Sequence, residues 1–101
     1  MAKRQQLQSK LEELLGSKNV YYQPPASGRM DYPAIRYSRS RIDSKFANNS
    51  KYSSKTRYEI IVIDRMPDNP VIEKILELPY SSYDRHYVSD NLNHDVITLY
   101  Y

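Results

Sequence analysis

The sequence predicts an α+β fold: an antiparallel or mixed β-sheet of about five strands with two helices packed on it. Three observations lead there. Apolar residues recur with helical period in two short stretches. Between and after them lie runs rich in Val, Ile and Tyr, the composition of strands. Pro, Gly and Asn punctuate the boundaries. The order that results is α-β-β-β-α-β-β. At 101 residues the chain suits a single domain spanning 1–101.

The first helix is expected over Gln5–Leu15. Leu7, Leu11, Leu14 and Leu15 fall on one narrow stripe, and Gly16 is well placed to end it. So narrow a stripe packs on a sheet or on a neighbouring subunit. Asn19–Gln23 reads as a short strand stopped by Pro24-Pro25, and Pro24–Met30 as a loop. Tyr32-Pro33 forces an extended lead-in to the next strand. From Ala34 the residues alternate, Ile35 and Tyr37 on one side and Arg36 and Ser38 on the other. Ala47–Ser50 is a turn. A strand then runs from Lys51 to Asp64. Its segment Tyr58–Ile63 is apolar on both faces, which places it centrally in the sheet.

Met66–Pro70 breaks that strand and starts the second helix, with Asn69 as N-cap and Pro70 at the first helical position. Val71, Ile72, Ile75, Leu76 and Leu78 give it a wide apolar face, and Pro79 ends it. Tyr83–Tyr101 reads as a β-hairpin. The preferred pairing sets Tyr87 opposite Ile97 through a three-residue loop, Asn91–Asn93, with Asn93 left-handed. Tyr83 and Tyr87 then share the core face with Ile97, Leu99 and Tyr101. A four-residue loop, Asp90–Asn93, would turn the two tyrosines to the other face.

Composition narrows the functional classes. Eleven Tyr against one Phe and no Trp make a thin core whose aromatic surface keeps hydroxyls near water or a partner. Domains this small gain from oligomerisation. Without cysteine there is no disulfide or thiolate metal site, which suits a reducing compartment. No apolar run reaches membrane-spanning length. MAKRQQLQSK leads into an amphipathic helix, not into a signal-peptide core.

The net charge of +3 conceals a strong asymmetry. Residues 1–35 carry +2, residues 36–57 carry +6 and residues 58–101 carry −5. Opposite charges on separate surfaces suit head-to-tail contact between identical subunits, or a polyanion on one side. The basic segment coincides with the outer part of the first hairpin. There, residues 38–56 form a protruding polar arm that cannot bury a core of its own. Arg36, Arg39, Arg41, Lys45, Lys51, Lys55 and Arg57, with Tyr37 and Tyr52 among them, mark a surface for a partner or an oligomer neighbour. The same residues could track phosphates and stack bases. That makes a small nucleic-acid-binding module the second reading, although no RNA-recognition or helix-turn-helix signature accompanies it.

Catalysis has few candidates. His86 and His94 stand near Asp84, Asp90 and Asp95, a set that could ligate a metal or run acid–base chemistry in a small hydrolase. No HxH, HExxH or CxxC spacing supports it. With Gly16 and Gly28 as the only glycines there is no phosphate-cradling loop. Catalytic, cofactor and metal residues are therefore expected to be absent.

Four segments carry a resemblance: LEELLGSKNVYYQPP (Leu11–Pro25), YPAIRYSR (Tyr32–Arg39), RYEIIVIDRMPDNP (Arg57–Pro70) and YDRHYVSDNLNHDVITLYY (Tyr83–Tyr101). Together they resemble the small tail completion proteins of tailed bacteriophages, among the tail terminator or head–tail joining proteins. The resemblance covers most of the chain, with the arm least distinctive. It implies a non-enzymatic structural protein of the virion, assembled in the host cytoplasm. Such proteins are compact α+β subunits of rings, often hexamers. The implied ring caps the tail tube, stops its growth and meets the head connector or head-closure protein, with DNA passing through the lumen. No cofactor and no membrane are implied.

Overall fold

The computed structural model describes the backbone of residues 3–23, 30–47 and 50–101, and the side chains of all of these except 3, 41–47 and 50–55. Of the expected Pro24–Met30 loop, residues 24–29 lie outside the described residues, as do 48–49 of the expected Ala47–Ser50 turn, whose end residues Ala47 and Ser50 are paired as the last rung of the strands. Seven elements follow in the expected order: α1 (Lys3–Leu15), β1 (Val20–Tyr22), β2 (Ala34–Ala47), β3 (Ser50–Asp64), α2 (Val71–Leu76), β4 (Ser81–Ser89) and β5 (Leu92–Tyr100). The strands form one sheet in the order β1-β2-β3-β5-β4. Only β1 pairs in parallel, with β2, so the sheet is mixed.

Both helices lie on one face. Leu7 and Leu11 of α1 are fully buried against Ile35, Tyr37, Ile60, Val62, Ile97 and Leu99 of the sheet. Packing has to hold this helix, because its charges run against its dipole: Arg4 sits in the first turn and Glu12 and Glu13 near the last. Burying each leucine contributes about 1.5–3 kcal/mol, more than the ends lose. Gly16, at φ +78°, closes the helix and donates its N–H to Glu12 O at 2.9 Å.

Helix α2 adds Val71 and Ile75 to the same core, with Ile72, Leu76 and Leu78 partly buried beside them. Asn69 is its working N-cap: Asn69 Oδ1 accepts from the Val71 N–H at 2.9 Å. The far end is capped by a residue the sequence reading did not single out. Ser81 Oγ donates to Leu78 O at 2.7 Å and to Leu76 O at 3.2 Å, fixing the corner from helix into β4.

The central position of β3 is as expected. Ile60 and Val62 face the helices, while Ile61 and Ile63 join Val96 in a second cluster on the opposite face. Met30, Tyr32, Tyr87 and Leu92 pack over this second cluster.

The terminal hairpin corrects the expected register. Ser89 pairs with Leu92, Tyr87 with His94 and Tyr83 with Ile97. The connection is therefore two residues, Asp90-Asn91, at φ +54° and +63°. Two left-handed residues make the turn whose twist matches the strands, and Asp and Asn are the side chains that tolerate it. Asn93 is not a turn residue. A register shift between Tyr83 and Arg85 then breaks the alternation. Tyr83 falls on the helix face, 45% exposed, and Tyr87 on the other, so the two tyrosines do not share the core with Ile97 and Leu99.

Candidate functional site

The arm is a continuation of β2 and β3 beyond the sheet. These strands pair from Ala34–Ile63 outward to Ala47–Ser50. β1 flanks β2 only along Ile35–Tyr37, and β5 flanks β3 only along Arg57–Asp64. Past those limits the ribbon has no strand neighbour on either side among the described residues. Residues 41–47 and 50–56 reach on the order of 20 Å from the body at strand rise. The molecule measures 51 × 26 × 22 Å.

Register shifts lie at the ribbon's root, between Arg39 and Arg41, and near its tip, between Lys45 and Phe46. At the root Ser40 Oγ donates to Arg57 O at 3.0 Å. The root is also where the ribbon meets a cluster of tyrosines. Tyr22 packs edge-on to Tyr37 with ring centroids 5.1 Å apart, and Tyr37 lies 6.0 Å from Tyr58. The Arg4 guanidinium sits 4.8 Å over the Tyr22 ring. Tyr37 Oη donates to Gln8 Oε1, and Gln8 Nε2 donates onward to Val20 O at 2.8 Å. α1, β1, β2 and β3 are thus tied together beneath the arm. Burial pushes the Tyr37 phenol above its ordinary range, against the pull of Arg4. Tyr58 rises for the same reason, helped by its neighbour Tyr22. The excess of tyrosine in the composition was the sequence signal for this cluster, but only the strand register shows which three meet.

The expected basic residues divide between two faces and the ribbon. Arg36 and Arg57 are half-buried on the face away from the helices. Arg36 lines a shallow hollow of about 240 Å³ with Gln23, Ser38 and Glu59. Exposed Arg39 lies across from Tyr58 on the helix face. Arg41, Lys45, Lys51, Tyr52 and Lys55 are spread along the ribbon backbone, and their side chains lie outside the described set. The register sets Arg41 directly across from Arg57.

The opposite end of the molecule is acidic. Because β3 runs from the ribbon to Asp64, Asp68 and Asp90 sit at the end farthest from the arm. Asp64 itself is occupied, accepting from Met66 N–H at 3.2 Å and Asn69 Nδ2 at 2.8 Å.

The histidines and aspartates of the last hairpin are dispersed rather than gathered. His86 Nε2 meets Asn93 Oδ1 at 3.0 Å. Asn93 Nδ2 donates to Asp64 O and Arg65 O, so its oxygen must be the acceptor from His86. His94 Nδ1 lies 3.0 Å from Leu92 O, a carbonyl that can only accept, and its ring stacks on Tyr87 at 4.6 Å. Asp84 pairs with Arg85 at 2.8 Å. The buried Asp95 accepts from Tyr83 Oη at 2.7 Å, a bond that raises the Tyr83 phenol. Among the described residues no three His, Asp or Glu side chains converge as a metal site. No helix among them is long and apolar enough to cross a membrane.

No protein-family model matches the chain, and no curated protein is significantly similar to it.

Proposed function

We propose that this protein is a structural subunit of the bacteriophage neck, a tail terminator or tail completion protein that acts by ring assembly. In this reading the ring caps the tail tube, ends its growth and presents a surface to the head connector, with DNA crossing the lumen. The protein then belongs to the virion. One observation carries the reading: a basic two-stranded ribbon, with neither edge paired among the described residues, projects from the end of a packed body. An isolated two-stranded ribbon is marginal in water, and an unpaired edge is a template for another chain. Such a ribbon is best explained as a docking element that gains its stability on assembly.

The body complements this role. Its mixed sheet and two helices make a rigid wedge, and the tyrosine cluster anchors the ribbon's root to that wedge. Its ends differ in charge, so contacts between copies are heterologous, and such contacts close into a ring when the rotation between subunits allows. The test is to add the purified protein to tail tubes assembled without it and to image them by electron microscopy. A ring at one tube end and arrested tube growth are expected. A protein that never joins tubes or connectors, and leaves tube length unregulated, would refute the reading.

A specific observation favours the second reading, nucleic-acid binding by the arm: Arg41 and Arg57 face each other in register, with Arg36 on the neighbouring sheet surface. Binding through phosphates would weaken steeply with salt. Absence of DNA binding at low salt would eliminate it.

A further inference from the structure

The two ends of the molecule fit each other but cannot reach each other. β3 has fifteen residues, with the ribbon at one end and Asp64 at the other. At strand rise that is about 50 Å of separation within one chain. Within the ribbon Asp43, set across from Lys55, is the one acidic residue of its sequence, so counter-charge for the other basic residues can come from outside the subunit. At the acidic end Asp68, Glu73 and Asp90 are exposed, against Arg65 and Lys74. Asp68 and Glu73 border a shallow hollow of about 310 Å³ whose other walls are Pro67, Asn69, Pro70 and Ile72. Carboxylates beside apolar walls suit the charged head and methylene stem of a Lys or Arg. Two large apolar side chains stand exposed at the same end, Met66 at 69% and Val88 at 61%. Val88 pairs with Asn93, whose amide holds Arg65 O, so both belong to one surface. Exposed apolar side chains rimmed by charge are the composition of a contact surface.

We propose that the basic ribbon of one copy docks on this acidic end of the next copy, around Asp68 and Glu73. The inference rests on ring assembly and names the two surfaces that meet. The contact is heterologous, since a ribbon cannot sit on a ribbon of like charge.

Charge reversal tests it through the mass of the assembly measured by light scattering. One variant carries Lys51→Glu and Lys55→Glu, the other Asp68→Lys and Glu73→Lys, and each is checked for native far-UV dichroism. Each alone should weaken self-association by about tenfold or more, since attraction becomes repulsion. An equimolar mixture of the two should recover assembly, and so should the chain carrying all four changes. The two recoveries also distinguish a lost contact from a lost fold. Assembly indifferent to every reversal, or no recovery in either combination, would overturn the contact while leaving ring assembly standing. A wild-type chain that stays monomeric at all concentrations would overturn both.

Discussion

The molecule contains two hairpins, and they are built for opposite purposes. β4–β5 turns in two residues, keeps Val96, Ile97 and Leu99 buried, and returns directly into the sheet. β2–β3 is buried over Ile35, Tyr37, Ile60 and Val62, then continues outward as a Ser/Lys/Arg ribbon with no neighbours among the described residues. Both obey the same pairing rules. What separates them is how far the sheet accompanies each hairpin. β3 pairs with β5 out to Asn93, beside the turn, so the β4–β5 hairpin belongs to the body. β2 and β3 run on past the reach of β1 and β5, so among the described residues the outer half of that hairpin has no further strand beside it.

The comparison breaks most sharply on folding stability. Ile97 is fully buried in the β4–β5 hairpin. Ile97→Ala should cost about 2–5 kcal/mol in urea unfolding, the range for a truncated core side chain. Replacing residues 41–56 by a two-residue Asn-Gly turn removes far more atoms but no core described in the body, and should change stability by less than about 1 kcal/mol. A ribbon deletion that unfolds the protein would erase the distinction.

A smaller effect sits in the short turn. Asn91 is left-handed at φ +63°. Asn91→Val should cost about 1–2 kcal/mol, because a β-branched side chain is disfavoured there, while Asn91→Gly should be neutral or mildly stabilising. Equal melting temperatures for the two variants would contradict the turn assignment.

The element order, the central β3, the Asn69 cap and the apolar faces of both helices were legible because each rests on local periodicity or turn chemistry. The register of β4–β5 was not. The preferred reading assumed strict alternation from Tyr83 to Tyr87, and the irregularity beside Asp84 reverses the face between them. Tyr87 leaves the face of Ile97 because the turn has two residues, Asp90-Asn91, where three were expected, and the irregularity beside Asp84 returns Tyr83 to that face. The tyrosine cluster beneath the ribbon was hidden for a related reason: Tyr22, Tyr37 and Tyr58 lie on three different strands. The basic residues of the candidate site were legible as a charge block, and the split between Arg39 on one face and Arg36 and Arg57 on the other follows from plain strand alternation, since Arg39 pairs with Tyr58 before the register shift at the ribbon's root.

Alkaline pH gives a subtler contrast. Tyr37 and Tyr58 at the ribbon root, and Tyr83 in the other hairpin, all titrate above the ordinary value of 10.0 in the fold. The fold thus favours their neutral forms. Their contribution is complete below pH 10 and is lost as pH rises through the folded values. Stability should hold through neutral pH and decline above about pH 10. Tyr37→Phe, which keeps the ring and removes the ionisable hydroxyl, should flatten that decline. Urea midpoints across the alkaline range would register it, and an unchanged profile would sink the assignment. The smallest effect belongs to the exposed Arg85–Asp84 pair, where Arg85→Ala should cost no more than about 0.5 kcal/mol.

The central claim is that the ribbon serves assembly and the body serves folding. Its most direct test is the solution mass of the intact chain beside the chain lacking residues 41–56, measured by light scattering at matched concentration. The account predicts a closed multimer for the intact chain and a folded monomer for the ribbon-less one. A ribbon-less chain that assembles to the same mass as the intact protein would contradict it.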